Sequence, residues 1–188
     1  MRYRFRGSRS PFEAIARSEL QCAAKLFDKF CTNRVGWTLD LGAGAGGIWL
    51  FSTPPEKLIA LDYAPQIAPF STYRHRITAD AAYLPFSNDT FSTILALGLL
   101  EYIPEIESTM LAWRSASKVG GKLLITNSPP TLPNRLRAWL GLGAITRSDS
   151  VIRGILSRNG WEIVENSEKR AGWQTLLVAE AVLLHENT

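Results

Sequence analysis

Cysteine, histidine and methionine are scarce in this chain of 188 residues, with two of each. Cys22 and Cys31 are nine positions apart in what reads as one helix, more than two turns from each other, and that spacing argues against a disulfide. Neither lies in a CxxC pair or a Cys/His cluster, and His75 and His185 complete no ligand set, so no metal site is expected. No stretch approaches the roughly 18 uninterrupted apolar residues of a membrane span. The start of the chain, with Arg2, Arg4, Arg6 and Arg9 among aromatics, lacks the apolar core of a secretory signal. A soluble, intracellular and cytoplasmic protein is the expectation. Strong clustering of one charge sign is missing too. The net charge is +4, but the cations are scattered outside the amino-terminal arm and the run Tyr73-Arg74-His75-Arg76. A solvated basic surface accounts for that distribution. It does not favour a nucleic-acid partner, and it leaves an anionic substrate or carrier open.

What is present is enough apolar sequence, 46%, for one core, and the length suits one domain over 1–188. Residues 1–36 read as an arm and a helix. Phe12, Ile15, Ala16, Leu20, Ala23, Ala24, Phe27 and Phe30 recur at mixed three and four spacings, which predicts an amphipathic helix from Pro11 to Phe30 with Ser10 as its cap. Short apolar runs follow at Trp37 to Leu41, Lys57 to Leu61, Ile77 to Ala79, Thr93 to Leu97 and Lys122 to Thr126, each ended by turn or helix signals. Such alternation implies a parallel sheet covered on both faces. A helix from about Asp149, its simplest cap, to Asn159 leads to Trp161 to Glu165 and then Gln174 to Glu180, two late strands that suggest an antiparallel edge.

One region breaks the rhythm. Residues 127–147 carry Pro129, Pro130 and Pro133, then a short amphipathic piece around Leu136, Trp139 and Leu140, then Gly141 and Gly143. Since it follows a strand's carboxyl end, where open α/β sheets bind ligands, it is a candidate lid; the plainer alternative is a surface excursion with a packed hydrophobic anchor.

The chemistry concentrates at Leu39-Asp40-Leu41-Gly42-Ala43-Gly44-Ala45-Gly46-Gly47. A turn this rich in glycine lets a ligand approach the backbone, and a helix starting near Gly46 would point free amides at it. Gly42, Gly44 and Gly47 satisfy GxGxxG, so a nicotinamide-dependent oxidoreductase has to be weighed. Asp40, at the end of the strand, suits a ligand with an ammonium group better than a pyrophosphate. Leu58-Ile59-Ala60-Leu61-Asp62 ends in a carboxylate able to accept both hydroxyls of a ribose, which either cofactor class would use. The stretch from Ala79-Asp80-Ala81 through Tyr83-Leu84-Pro85-Phe86 then runs into the apolar strand and Gly98-Leu99-Leu100-Glu101-Tyr102-Ile103.

Taken together from Thr38 to Thr126, these motifs resemble class I S-adenosylmethionine-dependent methyltransferases, especially the small-molecule branch that includes the ubiquinone and menaquinone biosynthesis enzymes. Val119-Gly120-Gly121-Lys122-Leu123-Leu124-Ile125 looks like that family's turn into its fifth strand. The resemblance implies a Rossmann-like three-layer α/β sandwich with a mostly parallel seven-stranded sheet and an antiparallel edge strand. It implies S-adenosylmethionine as cofactor, S-adenosylhomocysteine as product, and methyl transfer to a small-molecule metabolite, anionic or hydrophobic. Asp40, Gly42, Ala43 and Gly44 would surround the methionine part, Asp62 would hold the ribose, and Tyr63 and Ile67 would flank the adenine. Asp80 would receive the adenine amino group beside the Ala81 backbone, and Leu97 with Gly98 would lie near the sulfonium.

Ser92 stands where the family commonly has aspartate, and Pro69 shortens the helix after Asp62. The Asn127-Ser128-Pro129-Pro130 string follows the fifth strand rather than the fourth, unlike the signature of amino-methylating nucleic-acid enzymes. Methyl transfer from a sulfonium needs alignment more than an elaborate catalytic group. If a base is required, Glu101, Tyr102 and Tyr3 are the candidates by inferred position. His75 reads as a surface histidine. Two other classes stay open: a protein that uses S-adenosylmethionine for cyclisation, isomerisation or scaffolding, and the oxidoreductase, for which no hydride-handling residue is evident.

Overall fold

A computed structural model describes residues 11–31, 35–64, 73–140 and 145–183. The chain opens with helix α1 (Pro11–Phe30), whose Glu13 in the first turn and Lys29 in the last complement the helix dipole. Strands β1 (Trp37–Leu41), β2 (Leu58–Asp62), β3 (His75–Thr78) and β4 (Phe91–Ala96) follow. Then come α2 (Ile106–Ala116), β5 (Ser117–Asn127), α3 (Leu132–Trp139) and α4 (Asp149–Arg158). Three strands close the chain: β6 (Trp161–Ile163), β7 (Lys169–Ala171) and β8 (Gln174–Ala181).

All eight strands form one sheet in the order β3-β2-β1-β4-β5-β8-β6, with β7 paired to β8 off that path. β3, β2, β1, β4 and β5 are mutually parallel, and β8 runs antiparallel to β5, β6 and β7. The antiparallel pairing thus lies at the expected edge. It differs in detail, since β8 is one strand in from that edge and a short eighth strand, β7, adds to it. The strand order reverses between β1 and β4, which makes a crevice at their carboxyl ends.

Both faces of the sheet are covered, and residue alternation decides which side chain goes where. Ile94, Ala96, Leu123, Ile125, Leu177 and Ala179 join the core built with Met110 and Trp113 of α2 and Ile152, Ile155 and Leu156 of α4. The intervening Leu95, Leu124, Leu176 and Val178 face Ala23, Ala24, Leu26 and Phe27 of α1. Trp113 and Trp161 are fully buried, and each indole N–H finds a carbonyl, Ala81 at 2.8 Å and Met110 at 3.2 Å. Burial of one such side chain contributes on the order of 2–3 kcal/mol, provided its polar end is bonded.

Two local expectations are corrected. The helix expected after the glycine loop is a single 3-10 turn, Gly47–Leu50, with Pro54 and Pro55 beyond it. Ser148, not Asp149, caps α4, its hydroxyl accepting from the Val151 N–H at 3.3 Å. Asp149 instead accepts from the Asn127 side-chain amide at 2.8 Å and the Thr175 hydroxyl at 3.1 Å. His75 is exposed, as read, its ring edge-on to Trp37 at 5.3 Å. Among the described residues, no helix is long and apolar enough to cross a membrane.

Candidate functional site

The loop after β1 sits in that crevice. Gly42, Gly44 and Gly46 have φ of 63°, 49° and 69°, a left-handed conformation that β-branched residues avoid. The Gly42 N–H donates to the Leu61 carbonyl at 2.8 Å, which fixes the loop to the end of β2. Asp62 then closes the arrangement: Oδ2 accepts from the Gly44 N–H at 2.8 Å and Oδ1 from the Ala64 N–H at 2.9 Å. At the end of β4, the Gly98 N–H donates to the Thr126 hydroxyl at 2.6 Å. Among the described residues, a Cβ added at Gly98 would meet no atom within 4 Å, and one at Gly44 only the Gly42 carbonyl oxygen at 3.7 Å.

Asp40 lies under the loop rather than in it. It is 4% exposed, and its Oδ2 accepts from the Tyr73 hydroxyl at 2.7 Å and the Trp49 indole N–H at 3.1 Å. The same indole also donates to the Tyr73 oxygen at 2.8 Å. Burial pushes the Asp40 carboxyl up to about 6 against these two bonds, and burial with the adjacent Asp40 charge pushes the Tyr73 hydroxyl up. Sequence reading missed both partners, because Tyr73 was grouped with the basic run that follows it and Trp49 with a helix. Their signal was composition: a tyrosine and a tryptophan, each with one polar atom, near a strand-end acid.

Asp80 heads an exposed turn, its Oδ1 accepting from the Ala82 N–H at 2.9 Å, while Ala81 is buried and Tyr63 is exposed. Leu97 and Leu99 are partly buried, and Leu99 lies against Gly42, where an added Cβ would meet its Cδ1 at 3.0 Å. Asp40, Gly42, Ala43, Gly44, Asp62, Leu97 and Gly98 are thus brought to one end of the sheet. Ile67 and Tyr3 lie outside the described residues.

Beside the crevice, the segments after β4 and β5 are stitched together. Glu101 is buried, and its carboxylate accepts from the Ser128 hydroxyl at 2.7 Å and the Arg137 guanidinium at 3.1 Å. Two fixed donors on its oxygens make Glu101 an anchor for α3. Arg147 donates to the Leu100 carbonyl at 2.8 Å and to that of Ile103, and Tyr102 stays exposed. Glu19 of α1, which sequence reading passed over, accepts from the Trp173 N–H at 2.9 Å. Burial raises its carboxyl to about 7, against that bond and the Arg137 charge, with Glu101 adding to the rise.

Residues 39–125 match the model of the methyltransferase domain family. Over that stretch the chain is similar to the methyltransferase domain family. S-adenosylmethionine is the cofactor of this family. Over 98 residues, 46% of the chain, it is 29% identical to the sterol 4-C-methyltransferase strm-1 of Caenorhabditis elegans, and that stretch spans 29% of the relative's length. Magnesium protoporphyrin IX methyltransferase from Synechocystis PCC 6803, solved with bound S-adenosylhomocysteine, superposes with a TM-score of 0.72 at 16% identity, covering 94% of this chain and 90% of that one. A chain of the complex between the Haloferax volcanii Trm112 methyltransferase activator and a methyltransferase gives 0.72 at 13% identity, covering 93% and 94%. In this chain one 3-10 turn follows the glycine loop, and Asp40, Trp49 and Tyr73 underpin the loop where a longer helix was expected.

Proposed function

We propose that this methyltransferase transfers the S-adenosylmethionine methyl group to a small hydrophobic acceptor, with residues 1–188 acting as one unit. The observation that carries this reading is the glycine loop after β1, where the Gly44 N–H is held by the Asp62 carboxylate and a Cβ at Gly44 or Gly98 would meet no side chain of the described residues within 4 Å. A group with an ammonium, a ribose and an adenine fits that donor and acceptor set. Asp40 acts from beneath the loop as a buried negative charge, and Gly42, Ala43 and Gly44 offer backbone to the methionine part. Asp62 keeps lone pairs for the ribose hydroxyls, since each carboxylate oxygen can accept a further hydrogen bond beside the backbone N–H it already holds. Tyr63 and Ile67 would flank the adenine, with Asp80 and the Ala81 backbone at its edge and Leu97 and Gly98 near the sulfonium.

When bound, the cofactor supplies a methyl on an already activated sulfonium. The chain's part is to align the acceptor with it and exclude water. The side chains that flank Gly98 in sequence, Leu97 and Leu99, are apolar and partly buried. The sterol acceptor of the C. elegans relative supports the same class of molecule. Titration calorimetry with S-adenosylhomocysteine, S-adenosylmethionine and NAD tests the first half of this reading: saturable binding of the first two is expected, and binding of NAD alone would overturn it. A mass gain of one methyl group on an apolar acceptor tests the second half.

A further inference from the structure

Helix α3 is inside out. A helix on the surface of a globular protein turns its apolar stripe to the core and its polar side to water. Here the buried contacts are polar. Asn134 is fully buried, and its side-chain amide donates to the carbonyls of Pro129 at 2.8 Å and Trp173 at 2.9 Å. Arg137 reaches inward to Glu101 and lies over the Trp173 ring, 5.9 Å from its centroid. The apolar residues face out: Leu132 is 82% exposed, Leu136 53%, Trp139 80% and Leu140 54%. At about 100° of rotation per residue, Trp139, Leu132, Leu136 and Leu140 form one continuous stripe, with Asn134 and Arg137 opposite. The polar anchors fix this orientation, so the stripe is not free to roll inward.

We propose that the outer face of α3 docks reversibly on an anionic lipid bilayer. Charge and residue type select this occupant: the helix carries no acidic residue, Arg135 is exposed beside Trp139, and the chain as a whole carries a net charge of +4. Leucines at the acyl boundary, tryptophan at headgroup level and an arginine on the flank are the arrangement of an interfacial helix. Size argues against a second copy of the chain, because four side chains on two turns fall short of the roughly 800 Å² per partner of a specific protein interface. Position gives the docking a use. α3 follows β5 at the ligand-binding end of the sheet, and its inner face is bonded to Glu101, three residues beyond Gly98. A bilayer held there would present lipid at the mouth of the acceptor site. That use rests on the reading of function above, whereas the docking rests on the helix alone.

Flotation of the full chain with vesicles of phosphatidylcholine and phosphatidylglycerol in equal proportion tests the proposal. The wild-type protein should float with the vesicles. Leu136→Glu and Trp139→Glu should each lower partition about tenfold, because a charge replaces buried apolar area. Calorimetry with S-adenosylhomocysteine should give the same affinity for these variants as for wild type, showing that they are folded. The proposal fails if wild-type protein stays unbound, if both variants float as it does, or if vesicles of phosphatidylcholine alone capture it equally. It also fails if sedimentation shows the wild type self-associating through this face, with the same substitutions abolishing the association. Flotation without any S-adenosylhomocysteine binding would overturn the functional reading and leave the docking in place.

Discussion

At the scale of single residues, Gly44 and Gly46 separate binding from folding. Both are left-handed, but a Cβ at Gly44 would make only an ordinary contact with the Gly42 carbonyl oxygen among the described residues, whereas one at Gly46 would come within 2.9 Å of the Tyr73 hydroxyl. Gly44→Val should therefore abolish S-adenosylhomocysteine binding in calorimetry while costing about 1–2 kcal/mol of stability, the strain of a left-handed residue. Gly46→Ala should lower the melting temperature further, since it disturbs the buried Asp40–Trp49–Tyr73 cluster. Undiminished affinity in folded Gly44→Val would remove the cofactor from this loop. Asp62 needs a gentler change, because both of its oxygens accept backbone N–H groups. Asp62→Asn keeps an acceptor for the Gly44 N–H and should weaken binding of S-adenosylhomocysteine by about tenfold, the worth of one charge-assisted hydrogen bond. Equal affinity would withdraw the ribose assignment.

Among the elements, strands and long helices were legible in the sequence for a simple reason: they are buried on regular faces. α1 runs from Pro11 to Phe30 and β1 from Trp37 to Leu41, both at the residues their patterns predicted. The glycine loop, its neighbouring acids and the switch point were legible because local spacing specifies them. What could not be read depends on contacts between distant residues. Trp49 and Tyr73 meet over 24 positions, and Glu101 meets Arg137 over 36. Residues 127–147 are the sharpest case, because Leu136, Trp139 and Leu140 were read either as part of a lid or as a packed anchor, and the structure excludes the packed anchor by turning them outward. Periodicity shows that a helix has two sides and does not show which one faces in. Asn134, with no exposed surface, is the residue that decides it. Asn134→Ala leaves the carbonyls of Pro129 and Trp173 without this donor and should cost about 1–3 kcal/mol in urea unfolding, with faster amide exchange confined mainly to α3. A loss under 0.5 kcal/mol would show that α3 is held by other contacts.

Across the whole molecule, the two ends of the chain are joined at Glu19. Its carboxylate meets the Trp173 N–H over 154 positions, and Gly172, with φ of 57°, packs so closely that an added Cβ would lie 2.5 Å from Glu19 Oε1. Arg137 of α3 and Glu101 face the same carboxyl, so α1, α3 and the turn between β7 and β8 converge there. Burial raises its folded-state pKa from 4.5 to about 7, and the sign of the linkage follows from that direction. Below the unfolded value both states are protonated and the shift has no effect on stability. Between the two values the folded state holds a proton that the unfolded state has released, so stability falls as pH rises. Above the folded value the loss is complete. Asp40, raised from 3.8 to about 6 by burial, adds to the slope in the lower part of that window. Glu19→Gln keeps an acceptor for Trp173 and removes the ionisation. Urea unfolding at about pH 5 and about pH 8 should show the variant gaining on the wild type at the higher pH by on the order of 1–3 kcal/mol, with the smaller end favoured by solvent reaching the partly exposed carboxyl. If wild type and variant keep the same difference at both values, Glu19 does not titrate in this window, and the closure of α1 on the carboxyl-terminal strands is independent of its charge.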